Sequence, residues 1–293
     1  MDYVLQIAGL IVVYAILAES MDLASGHTGL LSLAHAGFFG IGAYVAGILT
    51  LRTGCGFTVG LLGAACVAAI VSFGFSVPTL RLNDDYFVIG TFAFQMILSS
   101  ILDNWVSVTH GSLGIRGIPR ARVGGFEFNS PAEFLVLGCC CFVLVKWIVN
   151  RLVSSPFGRV LHAIREDEIF AKANGKNTLY FKIIVFAFSA GLAASAGSLY
   201  AHYVSYIDPS SFTVMESILI LSMTIVGGAG SRWGPVMGAV LLVGLPELLR
   251  FLGVPSSFSA NVRQMVYGSL LIIMIMFRPR GVVGHAGFSQ RGI

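Results

Sequence analysis

The stretch Ser154–Lys182, SSPFGRVLHAIREDEIFAKANGKNTLYFK, is a polar island in an otherwise apolar chain. It contains five basic residues and the acidic run Glu166–Glu168. Ser155 and Pro156 are typical of a helix start, with serine as the N-cap and proline at the first helical position. Long apolar segments lie on both sides, so the placement of this stretch decides how the rest of the chain is arranged.

Two short apolar stripes at helical spacing follow this helix start, one within 160–164 and one, slightly rotated, within 169–173. Two short helices joined by a bend fit this pattern better than one straight helix. Gly175 follows Asn174, where a helix C-terminus favours glycine. The pattern indicates an amphipathic element lying flat beside a membrane. An ordinary polar loop with incidental helix is the alternative.

The composition predicts a membrane protein. Of 293 residues, 56% are hydrophobic and 11% are charged, whereas a soluble domain has about 25% charged residues. No polar segment is long enough to fold alone, so we expect a single transmembrane domain over 1–293. The net charge of +4 is modest and does not imply nucleic acid. The five cysteines have neither zinc-site nor disulfide spacing, and we expect the first apolar segment to be retained.

Apolar segments of about 20 residues are long enough to span a bilayer as helices. The candidates are 3–19, 30–51, 58–77, 86–103, 132–150, 183–203, 212–230, 234–251 and 262–278. We therefore predict an all-α, polytopic bundle of eight or nine transmembrane helices, because open strands cannot satisfy their backbone in lipid. The bias of basic residues predicts that 154–182 and the C-terminus are cytoplasmic. The N-terminal side is less determined, since 20–31 is a candidate bend within the membrane.

A second informative stretch, Ser25–Tyr44, is rich in small residues. Gly40 and Gly42 each belong to a pair of small residues spaced four apart, which lets helices approach closely. Ser32 and His35 are polar side chains within an apolar segment. Such groups face either a bundle interior or a water-filled path, and simple packing hydrogen bonds are the equally open alternative.

The 154–182 stretch resembles the coupling loop of LivM-type permeases, the membrane subunits of branched-chain amino-acid ABC importers. The family pattern is Ser-Pro-hydrophobic-Gly-Arg, then Ala-Ile-Arg-Glu, then an alanine before a Gly-bounded turn. Ser155 and Pro156 match the start of this pattern. The resemblance implies that the following residues couple to an ATPase: Gly158, Arg159, Ala163, Ile164, Arg165, Glu166, Ala171 and Gly175. The chain departs from the family at Ile169 and Phe170, where small residues are usual.

The resemblance extends along most of the chain. The family signature Ser-x-x-His-Ala-x-Phe-Phe-Gly-Ile-Gly-Ala-Tyr matches from Ser32 to Tyr44 and implies a helix lining the translocation path. Its implied path residues are Ser32, His35, Phe38, Gly40, Gly42 and Tyr44. Further blocks match at 109–115, 227–235, 245–250 and 277–284, the last being FRPRGVVG.

The polar segment 103–131 is predicted to be external and clusters Arg116, Arg120 and Arg122. Arginine presents a planar fork suited to bidentate pairing with carboxylates. The resemblance implies that an external solute-binding protein docks on this face, so we predict that these arginines seat it. A loop folded back on the permease, with its arginines bonded to backbone carbonyls, is the alternative.

The resemblance implies one half of an importer's pore in a bacterial or archaeal cytoplasmic (inner) membrane, beside a second, LivH-like permease subunit. The chain is not expected to be an enzyme or to hold a cofactor. Its Gly175-Lys176 pair is followed by Asn177 rather than Ser or Thr, so ATP and Mg would be bound by two cytoplasmic ATP-binding subunits. The cargo would be branched-chain or other hydrophobic amino acids, or alternatively urea or short amides.

An ion-coupled secondary transporter that works alone is the alternative from another class. It would require buried acidic groups to couple to ions. The candidates in this chain are Glu19, Asp22, Glu216 and Glu247. An intramembrane enzyme is disfavoured, because no Ser-His, Asp-Asp or His-metal pattern occurs at helical spacing.

Overall fold

The computed structural model describes residues 2–81, 84–251, 268–269 and 281–283. Its helices are α1 Asp2–Thr28, α2 His35–Thr53, α3 Phe57–Thr79, α4 Asp84–Asn104, α5 Val106–Thr109, α6 Pro131–Val153, α7 Pro156–Glu166, α8 Glu168–Ala173, α9 Thr178–Val204, α10 Val214–Gly227 and α11 Gly234–Phe251. Two antiparallel strand pairs join β1 Ile115–Arg116 to β4 Tyr206–Ile207, and β2 Arg122–Val123 to β3 Phe126–Glu127. The predicted all-α class is confirmed.

Six helices are long and apolar enough to cross a membrane within the described ranges: α1, α2, α3, α4, α6 and α9. Two shorter apolar helices, Val214–Gly227 and Gly234–Leu245, accompany them. The predicted span 262–278 lies outside the described residues, apart from 268–269. Most of the FRPRGVVG block lies outside them as well.

Several predicted boundaries were wrong, including the start of the second helix, which begins at His35 rather than at residue 30; two of the differences change how the spans are read. The first span, predicted to end at residue 19, continues as α1 to Thr28, and the chain leaves the helix over 29–34. The polar residues near its end are buried rather than exposed, so they do not end the helix. The predicted span 212–230 forms the 14-residue α10, which is about 21 Å long and too short to cross alone. Helix α10 ends at Gly227, because the next residue, Gly228, has a φ of 116°, which is incompatible with a helix.

Helix α9 lies at the centre of the bundle and packs along α1, α2 and α3. Its 27 residues correspond to about 40 Å, so it is long enough to cross a membrane. The β1–β4 pair lies just beyond its C-terminus, while α7 and α8 precede its N-terminus. The segment predicted to be external and the predicted coupling element therefore lie at opposite ends of the bundle.

Candidate functional site

The coupling element, α7 and α8, begins with the predicted cap. Ser155 Oγ accepts a hydrogen bond from the backbone N–H of Gly158 at 3.4 Å, and Pro156 occupies the first turn. A Cβ atom at residue 158 would lie 2.0 Å from the carbonyl oxygen of Val153, so only glycine fits there. Leu161 is buried and anchors one face of α7 in the bundle.

The predicted bend and second helix are also present. Asp167 separates α7 from α8, and its side chain caps α8 by accepting a 2.9 Å hydrogen bond from the Phe170 N–H. The element ends at Gly175, which has a φ of +75°. Ile169 is 81% exposed and Phe170 is 65% exposed. The two bulky departures from the family pattern are thus the apolar side chains that project from the surface.

Glu168 fixes α8 to the start of α9. Its carboxylate accepts hydrogen bonds from Thr178 Oγ1 at 2.8 Å and Lys182 Nζ at 2.7 Å, and it lies 3.0 Å from Lys172 Nζ. Burial alone would raise the pKa of Glu168, but the hydrogen bonds from Lys182, Thr178 and Lys172 lower it to about 2. The ionised carboxylate therefore stabilises the attachment of α8.

The predicted coupling residues divide between two faces. Arg159, Glu166 and Gly175 are exposed; Ala163 and Arg165 are partly exposed; Gly158, Ile164 and Ala171 are buried. Arg165 faces the bundle, and its Nη1 donates a hydrogen bond to the carbonyl oxygen of Gly26 in the last turn of α1. Beside it, the rings of His162 and His27 meet edge to face with centroids 5.1 Å apart.

The predicted path residues lie inside the packed bundle. Ser32, His35 and Phe38 are each 0% exposed. His35 Nε2 lies 2.8 Å from Ser189 Oγ, which donates a 2.5 Å hydrogen bond to the carbonyl oxygen of Ser20. His35 therefore makes a hydrogen bond within the packed bundle, and through Ser189 it links α2 to α9 and α1.

Three polar side chains that the sequence interpretation missed support the start of α2. The N–H of Leu33 donates to Thr91 Oγ1 at 3.1 Å, and the N–H of Gly37 donates to Gln95 Oε1 at 2.6 Å. The N–H of Ala36 donates to Ser217 Oγ at 3.0 Å. Thr91, Gln95 and Ser217 are each 0% exposed. Their signal in the sequence is a polar residue inside an apolar segment, the same signal that identified Ser32 and His35.

Gly40 and Gly42 lie at close contacts. A Cβ atom at residue 42 would lie 2.1 Å from the carbonyl oxygen of Ala194 on α9, and one at residue 40 would lie 3.0 Å from the Phe212 ring. Tyr44 is 3% exposed and also packs against Phe212, with ring centroids 6.0 Å apart. These positions therefore hold the helices together within this chain.

The three arginines predicted to be external are exposed to solvent and also contact their own chain. The Arg116 guanidinium lies 5.4 Å from the centre of the Tyr206 ring. Arg122 forms an ion pair with Glu127 across the β2–β3 hairpin. Arg120 lines a cavity of about 280 Å³, together with aromatic residues and the buried His202.

The four acidic groups considered for ion coupling all have partners. Glu19 pairs with Lys146, and Asp22 accepts a 2.7 Å hydrogen bond from the Gly230 N–H. Glu216 and Glu247 accept hydrogen bonds from Tyr14 and Tyr3. Within the described part of the chain, no cluster of three or more His, Cys, Asp or Glu residues could hold a metal ion.

Known proteins resemble this chain along most of its length. The family model described as "Branched-chain amino acid transport system / permease component" matches residues 3–275. The high-affinity branched-chain amino acid permease protein LivM of Escherichia coli K12 is 33% identical over 94% of this chain and 69% of its own length. A probable LivM of Methanocaldococcus jannaschii is 26% identical over 75% of this chain and 66% of its own length.

The permease protein LivH of Escherichia coli K12 is 26% identical over 93% of this chain and 91% of its own length. No solved structure matches. The resemblance inferred from the two motif stretches is confirmed. The chain belongs to the family of branched-chain amino acid transport system permease components.

Proposed function

We propose that this chain is a permease subunit of an ATP-driven importer for branched-chain or other hydrophobic amino acids, and that it forms half of the translocation pore. The observation that carries the proposal is the α7–α8 element, which presents Ile169 and Phe170 outward between two spanning helices. Since exposed apolar side chains flanked by polar residues mark partner-binding surfaces, this element is suited to seating in a separate ATPase.

The proposed complex contains a second, LivH-like permease subunit, two cytoplasmic ATP-binding subunits that bind ATP and Mg, and an external solute-binding protein. This chain would itself hold no cofactor and do no catalysis. Its place is a bacterial or archaeal cytoplasmic membrane, with α7, α8 and the C-terminus on the cytoplasmic side. The pairing of all four acidic candidates weakens the ion-coupled alternative, because those carboxylates are already engaged.

Reconstitution tests this function. The permease, purified with its ATPase subunits and placed in liposomes with its binding protein, is expected to take up labelled leucine only when ATP is present inside. Urea is the comparison substrate. ATP-dependent uptake of urea but not leucine would contradict the amino-acid assignment, and leucine uptake driven by an ion gradient without ATP would contradict the whole proposal.

Glu168→Gln is expected to loosen α8 from α9. Hydrogen bonds to charged groups contribute about 1.5–3 kcal/mol, and we expect the lower end because the Glu168 side chain is 28% exposed. A depressed carboxyl pKa stabilises the fold above the ordinary value, 4.5 for this group, and the contribution is lost as the pH falls toward 2. Thermal melting in detergent should therefore show a large wild-type to variant difference at pH 7 that shrinks below pH 4.5.

Glu166→Gln is the control for Glu168→Gln, because Glu166 is an exposed carboxylate on the same element. Its melting temperature should follow the wild type across the same pH range. Equal effects of the two variants at pH 7 would mean that Glu168 does not fix α8.

The triple change of Arg116, Arg120 and Arg122 to Gln is expected to slow association of the loaded binding protein by about 10-fold at low salt. Exposed charges steer partners until salt screens them, so the variant's on-rate should also depend less on salt. Stopped-flow or biolayer measurements at several salt concentrations would measure both quantities.

Arg52→Gln is the control for the triple variant, because Arg52 is an exposed arginine in the last turn of α2 and outside the cluster. It should leave the on-rate nearly unchanged. If the on-rate of the triple variant depends on salt as in the wild type, the arginines do not steer the binding protein. Their role would then be limited to the contacts with Tyr206, Glu127 and the cavity.

A further inference from the structure

A tight turn over 228–233, here called the reversal, joins α10 to α11 at the end of the bundle that carries α7. Two polar side chains fix it to the rest of the bundle. Asp22 of α1 accepts a 2.7 Å hydrogen bond from the Gly230 N–H, and Lys146 of α6 donates to the carbonyl oxygen of Arg232. The N–H groups of Val282 and Val283 donate to the end of α10, at 2.9 and 3.1 Å. The reversal is therefore held from several directions.

Arg165 connects the coupling element to this arrangement. Its Nη1 donates to the carbonyl oxygen of Gly26. A Cβ atom at Gly230 would lie 2.7 Å from that same Nη1, and a Cβ atom at Gly26 would lie 2.5 Å from the Gly230 nitrogen. The guanidinium thus lies against two glycine backbones that touch each other, one at the end of α1 and one in the reversal.

The charges around this contact are buried. Glu19 and Asp22 are each 1% exposed, and Lys146, which pairs with Glu19, is 8% exposed. Ionisable groups within membrane-spanning helices are costly and are therefore expected to have a function. Packing alone would be served as well by apolar residues of similar volume. The polar contacts instead give a directional linkage between α7, the end of α1 and the reversal.

We propose that Arg165, Gly26, Asp22 and Gly230 form a transmission junction through which movement of α7 displaces the reversal, and with it α10 and α11. Arg165 is then a positioning residue that acts inside the permease rather than a contact with the ATPase. This inference rests on the proposed function, because it requires an ATPase that moves α7. It adds which part of the permease receives that movement.

The reversal's response to nucleotide is measured directly at residue 232. The Arg232 side chain is exposed, while its carbonyl oxygen makes the contact with Lys146, so a cysteine there keeps the contact. In the intact transporter, with its five native cysteines replaced, Arg232→Cys is labelled with a maleimide in the absence of nucleotide and after trapping with ATP and vanadate. We expect the labelling rate to change on trapping.

Arg165→Met keeps an apolar stem but removes every donor. With ATPase subunits still bound, it is expected to abolish the nucleotide-dependent change at residue 232 and to lower leucine uptake per ATP hydrolysed by about 10-fold, a typical size for a coupling effect. Arg165→Lys keeps a cationic hydrogen-bond donor on a shorter side chain, so the change in labelling at residue 232 should be reduced but present. This variant replaces Arg165→Met in the test if the Met variant does not fold. Arg151→Gln, an exposed arginine near the end of α6, is the matched control and should behave as wild type.

Three results would overturn the inference. The first is a labelling rate at residue 232 that does not change on trapping when Arg165 is present. The second is an Arg165→Met variant whose labelling rate changes as much as with Arg165, and the third is an Arg165→Met variant that releases the ATPase subunits. The last would make Arg165 a partner contact. Failure of the proposed function itself is distinct, because the wild-type transporter would then show no ATP-dependent uptake.

Discussion

Gly42→Leu is expected to lower the yield and the melting temperature of the permease strongly. A Cβ atom at residue 42 would lie 2.1 Å from the carbonyl oxygen and 2.4 Å from the Cα atom of Ala194, so the first added carbon already overlaps the α9 backbone. Overpacking a well-packed contact costs about 1–3 kcal/mol and sometimes more. Because α9 is the central helix, separating it from α2 would also disturb its contacts with α1 and α3.

The measurement is the yield and melting temperature of the detergent-solubilised protein by size-exclusion chromatography. Gly42→Ala should show a weaker form of the same defect. Gly74→Ala is the control, since a Cβ atom at this exposed position in α3 would meet nothing within 4 Å. Alanine there is expected to be neutral or stabilising by up to about 1 kcal/mol through helix propensity. Equal melting temperatures of Gly42→Ala and Gly74→Ala would contradict the prediction, because they would mean that the contact between α2 and α9 accommodates an added methyl group.

Changing Ile169 and Phe170 together to Ser is expected to weaken binding of the ATPase subunits by at least about 100-fold. Each apolar side chain of this size contributes about 1.5–3 kcal/mol when fully buried, and both are largely exposed in the free chain. Removing them should leave the fold intact, because neither side chain packs in the bundle core. Binding of purified ATPase subunits to permease in nanodiscs measures the change.

Lys176→Ser provides the comparison for this pair, because Lys176 is exposed beyond the end of α8. It should bind the ATPase within a few fold of wild type. Wild-type affinity in the double variant would place the ATPase elsewhere on the permease. A lowered melting temperature in that variant would instead mean that the two side chains stabilise α8.

Local rules predicted the coupling element well. The Ser155 cap, Pro156 in the first turn and the glycine stop at Gly175 act within one turn of helix, so the sequence alone reveals them. The sequence did not reveal which face of the element packs against the permease and which is exposed. Ala171 matches the family pattern for coupling, yet it is 3% exposed and faces the permease. A short helix with apolar residues on more than one side does not reveal which side packs.

The error at the end of α1 has a different cause. Acidic residues near the end of an apolar segment suggest that the segment stops, but Glu19 and Asp22 continue inside because Lys146 and Gly230 satisfy them. Those partners lie on distant elements, and only the fold brings them together. The same holds for Thr91, Gln95 and Ser217, whose bonds to the start of α2 depend on how α4 and α10 pack.

The pairing of the α1 carboxylates also sets an order of events during synthesis. Lys146 follows Glu19 by 127 residues, and Gly230 follows Asp22 by 208 residues. At a ribosomal rate of about 5–20 residues per second, these partners emerge roughly 6–25 and 10–40 seconds after the carboxylates. Until then Glu19 lacks its lysine, and Asp22 has only the nearby His27 of the same helix, at 3.4 Å; an aspartate at the centre of a single inserted helix costs about 2.5–3.5 kcal/mol. We therefore expect the nascent α1 to remain beside the insertion machinery until α6 has been synthesised, and finally the reversal.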